Sequence, residues 1–183
     1  MSKGQFIFEE YETSSGIYVI TLNNFRYHNY FSENVQRILK RFLTDDKLFF
    51  GFYRTDGLNI SNKCQEVIKN EIPLFFRKNG CINYLNEYLS TAEIIATDRV
   101  FDYIPFIFDY FLETIIFKPN ISIENFNKCH SDYMNHRVEE LILKKYTDML
   151  FYYFDSGDFS IYFDPKKYEP AKVRDVINSV LSN

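Results

Sequence analysis

Side chains able to do chemistry are few in this chain and do not converge on any familiar spacing. The three histidines are His28, His130 and His136. On a helix His130 and His136 would sit about 240° apart and share no face. Asp132 and His136 would share one, yet two ligands fall short of a metal site. Cys64, Cys81 and Cys129 are widely spaced with no CxxC pair, so neither a zinc site nor a disulfide framework is indicated. Cys129, His130 and Asp132 have the atoms of a nucleophile and its base, but catalytic groups are assembled across a fold, and a buried Cys beside a surface His is the plainer account. Gly4, Gly16, Gly51, Gly57, Gly80 and Gly157 form neither GxGxxG nor GxxxxGK[ST], so no phosphate or nucleotide cradle is expected. Asp155-Ser156-Gly157-Asp158 lacks the spaced ligands and terminal Glu of a calcium loop and reads as a turn. The expectation is therefore no catalytic set, no metal and no cofactor.

One pattern has geometric content, and it is acidic. Residues 84–127 hold Glu87, Glu93, Asp98, Asp102, Asp109, Glu113 and Glu124 against Arg99 and Lys118. On one continuous helix, at roughly 100° per residue, Asp98, Asp102, Asp109 and Glu113 fall within about 60° of one another. If Pro105 starts a new helix, the row splits into two pairs, each still four residues apart. Like charges at that spacing destabilise by a few tenths of a kcal/mol, a cost that a cationic partner offsets. Tyr103 and Tyr110 lie beside these carboxylates. Two accounts stay open: a solvated helix face, opposite Val100, Phe101, Ile104, Phe108, Phe111, Leu112 and Ile115, or an acidic, aromatic docking surface formed by Asp98, Asp102, Tyr103, Asp109, Tyr110 and Glu113.

The elements that must position these residues follow from periodicity and breakers. Gln5 to Glu12 and Ile17 to Leu22 are β-rich runs around Thr13-Ser14-Ser15-Gly16, an amino-terminal hairpin. Ser32 caps a helix through about Leu43, with Val35, Ile38, Leu39, Phe42 and Leu43 on one face. A strand runs from Leu48 to Arg54. Ser61 opens a helical stretch that Pro73 breaks or kinks before Gly80 ends it. Ile82 to Leu89 and Ala92 to Phe117 read as helical, with an interruption at Pro105. Ser122 begins a long helical pattern reaching the Tyr146 to Met149 region. Leu150 to Phe154 and Phe159 to Phe163 flank a turn and form a second hairpin. Pro170 then starts a helix with Val173, Val176, Ile177, Val180 and Leu181 as its apolar stripe. Sheet pieces at both ends with helices between predict one α+β domain over residues 1–183, its terminal hairpins joined in one mostly antiparallel sheet.

Composition bounds the rest. At 183 residues the chain suits about one domain, and 46% hydrophobic residues exclude a disordered tail. A net charge of -4 without a basic block argues against nucleic acid as the partner. The amino terminus has no secretory pattern, and the acids within Ile94 to Phe117 argue against a membrane span. A reduced, cytoplasmic home and a monomer or small homo-oligomer are expected. The chain has 20 Phe and 15 Tyr but no Trp; AT-rich codons explain that excess as readily as a binding surface does.

With Asp98, Asp102, Asp109 and Glu113 beside Tyr103 and Tyr110, the chain resembles the small acidic immunity proteins that bacteria encode beside contact-delivered toxins, as in contact-dependent growth inhibition. The resemblance is one of general character over the whole chain, without a motif. It implies a non-enzymatic cytoplasmic protein that binds a cognate toxin domain, of basic nuclease type, and occludes it. An enzyme with a site assembled from distant residues, or a regulatory or structural domain of a larger bacterial assembly, are the competing expectations.

Overall fold

In the computed structural model the described residues are 7–23, 31–43, 47–53, 61–84, 89–95, 98–111, 113–120, 139–154 and 157–182. Eight strands, β1 (Ile7–Glu12), β2 (Tyr18–Asn23), β3 (Lys47–Tyr53), β4 (Gly80–Tyr84), β5 (Leu89–Ile95), β6 (Glu113–Phe117), β7 (Met149–Phe154) and β8 (Asp158–Phe163), form one sheet in the order β1-β2-β8-β7-β6-β3-β5-β4. Every neighbouring pair is antiparallel. The helices are α1 (Phe31–Phe42), α2 (Asn62–Glu66), α3 (Ile72–Asn79), α4 (Asp98–Asp102), α5 (Ile104–Tyr110), α6 (Glu139–Tyr146) and α7 (Pro170–Leu181). The arrangement is α+β, as the sequence predicts, and the two terminal hairpins meet where β2 pairs with β8.

Both hairpins turn on a glycine in the left-handed region. Gly16 has φ +77° and Gly157 φ +92°, values that a Cβ disfavours. At the first turn Gly16 N–H donates to Thr13 O at 2.9 Å, and Thr13 N–H donates to Ile17 O at 2.8 Å.

The sheet has two unlike faces. On one, Ile20, Leu22, Phe50, Phe52, Ile116, Phe151, Tyr153, Phe159 and Ile161 pack against α1, α3, α4, α5 and α7 through Val35, Leu39, Phe76, Phe101, Phe108, Val173 and Ile177. On the other, Val19, Phe49, Ile115, Phe117 and Leu150 pack against α6 through Ile142, Leu143 and Tyr146. Thr147, just after α6, anchors that helix to the end of β6 by donating from its hydroxyl to Lys118 O at 2.6 Å.

Two expectations fail, in whole or in part, on physical grounds, and a third lies outside the described residues. Residues 80–84, 89–95 and 113–117 are strands, not helix. In β6 the run from Thr114 to Phe117 is buried on both sides of the sheet, so no alternation betrays it and it mimics a buried helix. Of the break or kink expected at Pro73, the break does not occur: a π-helical turn, Val67–Glu71, precedes it and Ile72 N–H donates five residues back to Val67 O. That widened turn leads from α2 into α3, so Pro73 sits in the first turn of α3, where its missing N–H costs little. The long helical pattern expected from Ser122 falls largely on 121–138, outside the described residues; α6 covers its final part.

Candidate functional site

The predicted acidic row does not hold together. Asp98 and Asp102 occupy the ends of α4, Tyr103 lies between helices, Asp109 and Tyr110 lie in α5, and Glu113 opens β6. A continuous helix would have aligned Asp109 with Glu113; the chain instead becomes extended at Phe111, the C-cap of α5, with ψ 137°. Asp102 and Asp109 are exposed on the helical layer. Tyr110 is only 7% exposed and belongs to the core. Tyr103 is half-buried with its ring 5.0 Å from that of Phe75. Glu113 lies on the opposite side of the sheet, in register with Phe154 and Tyr53. The side chain of Asp98 lies outside the described residues.

A different surface comes together where no sequence pattern pointed. On the α6 side of the sheet, strand registers line up Tyr11, Val19 and Tyr162 in one cross-strand row and Glu9, Thr21, Ser160 and Tyr152 in the next. A third row holds Asp158, Phe154 and Glu113. Tyr11 is 49% and Phe154 41% exposed, while Tyr152 and Tyr162 are half-buried. The ring of Tyr152 lies 6.5 Å from Tyr162, edge-on, and 6.4 Å from Phe154. Thr21 and Ser160 hydroxyls bond each other at 2.9 Å between the rows. Strand pairing thus fixes an aromatic floor with carboxylates Glu9, Asp158 and Glu113 round it. No alternation in the sequence marks this face: β7 is MLFYYF, apolar throughout, and β1 is IFEEYE, with two adjacent carboxylates.

The edge of this surface is tied to the helical layer. On the helical side of β1, Glu10 accepts from Arg174 Nε at 2.6 Å and from a second guanidinium nitrogen, and from Tyr18 Oη at 2.8 Å. The Arg174 hydrogen bond holds the Glu10 carboxyl below its ordinary pKa against the opposing effect of burial, and Tyr18 adds to the lowering. The carboxylate in turn pushes the Tyr18 phenol up. The pair ties β1 to α7.

Other chemistry is spoken for. Burial pushes the Cys64 thiol up to about 11, with the Asp109 charge adding to it, so it is a poor nucleophile, and it donates to Phe106 O at 3.4 Å. An open groove of about 320 Å³ between Phe42, the 165–169 turn and α7 contains Lys167 and Lys172, paired with Asp148 and Glu169. Among the described residues no three His, Cys, Asp or Glu side chains group as a metal site. No described helix is long and apolar enough to cross a membrane. No family model, curated protein or solved structure matches the chain.

Proposed function

We propose that this protein is a non-enzymatic binding domain of the immunity type, which neutralises a basic toxin domain by covering it. The observation that carries the reading is the pair of exposed aromatics on the α6 side of the sheet, Tyr11 beside Glu9 on β1 and, three strands away, Phe154 beside Asp158 and Glu113. Large, stiff aromatic side chains supply contact area at low entropic cost, and a rim of carboxylates steers a cationic partner. The exposed acids of the helical layer, Asp102 and Asp109, add to the same negative field without touching the partner.

The test begins with capture from the native host and mass spectrometry, followed by kinetics with the captured domain. Tyr11→Ala with Phe154→Ala is expected to weaken binding by about 30-fold or more, the scale of a hot-spot pair, and to abolish protection in cells that express the toxin. Asp102→Lys with Asp109→Lys is expected to slow association about threefold and leave dissociation unchanged. Unchanged affinity in the aromatic variant would overturn the sheet-face reading. If association in the charge-reversed variant then fell by an order of magnitude, docking would return to the helical layer.

A further inference from the structure

We propose that the free edge of β1 takes up a strand from the basic partner, extending the sheet by one. This rests on the basic-partner reading above and assigns the way in which that partner is held. β1 ends the sheet, and among the described residues nothing pairs with its outer side. Thr13 N–H donates to Ile17 O, so pairs 13–17, 11–19 and 9–21 exchange the β1–β2 hydrogen bonds. By the same alternation the amides and carbonyls of Phe8, Glu10 and Glu12 point outward, away from β2. Backbone groups of this kind are a ready template for another strand.

Charge decides which strand. The sequence of β1 is IFEEYE, and Glu9 and Glu12 are exposed with no ion pair among the described residues. Pairing with a second copy in antiparallel fashion is disfavoured, because the registers with most overlap lay Glu9 on Glu9 or bring together the Glu10 carboxylates that Arg174 already holds. Like charges directly opposite destabilise a strand pair, whereas a Lys- or Arg-bearing strand gains at Glu9 or at Glu12. Preorganisation adds to the affinity: the turn at Gly16 fixes one end of β1, and Arg174 clamps its middle through Glu10. Tyr11, exposed on the aromatic face, would then stand beside the incoming side chains, which makes edge and face one continuous site.

The probe is a blocked six-residue peptide alternating lysine with valine, and the readout is amide hydrogen exchange resolved by NMR. At millimolar peptide the outward amides of Phe8, Glu10 and Glu12 are expected to slow at least about fivefold, the scale of one net hydrogen bond, while Glu9 and Tyr11, already bonded to β2, do not change. The matching glutamate peptide should have no effect. Glu12→Pro removes an outward N–H and spares the β1–β2 ladder, so it should lose the protection at Glu10, whereas Glu12→Gln should retain most of it. No slowing, or equal slowing by the acidic peptide, overturns the strand-addition inference. Repeating the exchange with the captured partner separates the two readings: partner binding with unprotected β1 amides sinks the edge and leaves the sheet-face reading standing.

Discussion

The two faces of the sheet are both rich in aromatic rings, and they use them in opposite ways. On the helical side Phe108 stacks on Tyr153 with ring centroids 4.1 Å apart, Phe52 stacks on Phe111 at 4.9 Å, and Phe50 meets Phe76 edge-on at 5.5 Å. Phe50, Phe76, Phe108 and Tyr153 are all buried, so the hydrophobic gain is already taken inside the molecule. At the open end of the other face Tyr152, Phe154 and Tyr162 are more than 6 Å apart and partly wet. Their apolar surface is still available to a partner. The lesson is that an excess of Phe and Tyr says nothing about binding until the layers are known; among the described residues most rings are at least partly buried, and only Tyr11, Phe154 and Tyr168 are exposed.

The sharpest way to break this contrast is to truncate one ring on each face. Phe108→Ala leaves a hole between α5 and Tyr153 and is expected to cost about 3–5 kcal/mol in urea unfolding. Phe154→Ala removes a ring that is 41% exposed and should cost less than about 1 kcal/mol. Equal losses would mean that the face described as open carries core packing, and the proposed binding role of Phe154 would fall with it.

Much of the frame was legible in the sequence because its signals are local. Gly16 and Gly157 mark turns whose positive φ they alone suit, and the stripes Val35-Ile38-Leu39 and Val173-Ile177-Val180 do face the core. The middle of the chain was not legible for the opposite reason. Ile115, Ile116 and Phe117 are all buried, Ile116 toward the helices and its neighbours toward α6, so the period of two that would identify a strand is erased. That one error displaced the candidate site, since an assumed turn of 100° per residue put Glu113 beside Asp109 when the extended backbone places it across the sheet. Glu9, Tyr11 and Phe154 could not be chosen from sequence, because their surface is made by long-range pairing of β1 through β2 and β8 to β7.

The helical face also contains a polar group that its apolar surroundings do not serve. Thr114, fully buried between Phe52 and Tyr153 in register, has a hydroxyl with no hydrogen-bond partner among the described residues. An unmet buried hydroxyl costs about 1–3 kcal/mol, and valine keeps the branched shape without it. Thr114→Val is therefore expected to stabilise the fold by about 1 kcal/mol, seen as a higher urea midpoint at constant m-value. A loss of stability would mean that the hydroxyl has a partner after all and that this face is less uniformly apolar than its packing indicates.

The smallest effect concerns the Glu10–Arg174 ion pair, which links the edge of the sheet to the helical layer. Glu10 has its carboxyl lowered in the folded protein, chiefly by the Arg174 hydrogen bond, so the folded state holds its proton less tightly than the unfolded chain does. Linkage then requires that the stabilisation be fully present above the unfolded carboxyl value, near 4.5, and be lost as pH falls through the lower folded value. Arg174, whose guanidinium is raised further by Glu10, stays charged throughout. Because the Arg174 side chain is 42% exposed, solvent screening reduces the gain to about 1 kcal/mol or less. Arg174→Gln should lower stability by that amount at pH 7, and the difference from wild type should shrink once the solution is acidified below about pH 4.5. Chemical denaturation at both pH values measures it, and a difference that stays constant on acidification would show that Arg174 supports the fold by packing against β1 rather than by pairing with Glu10.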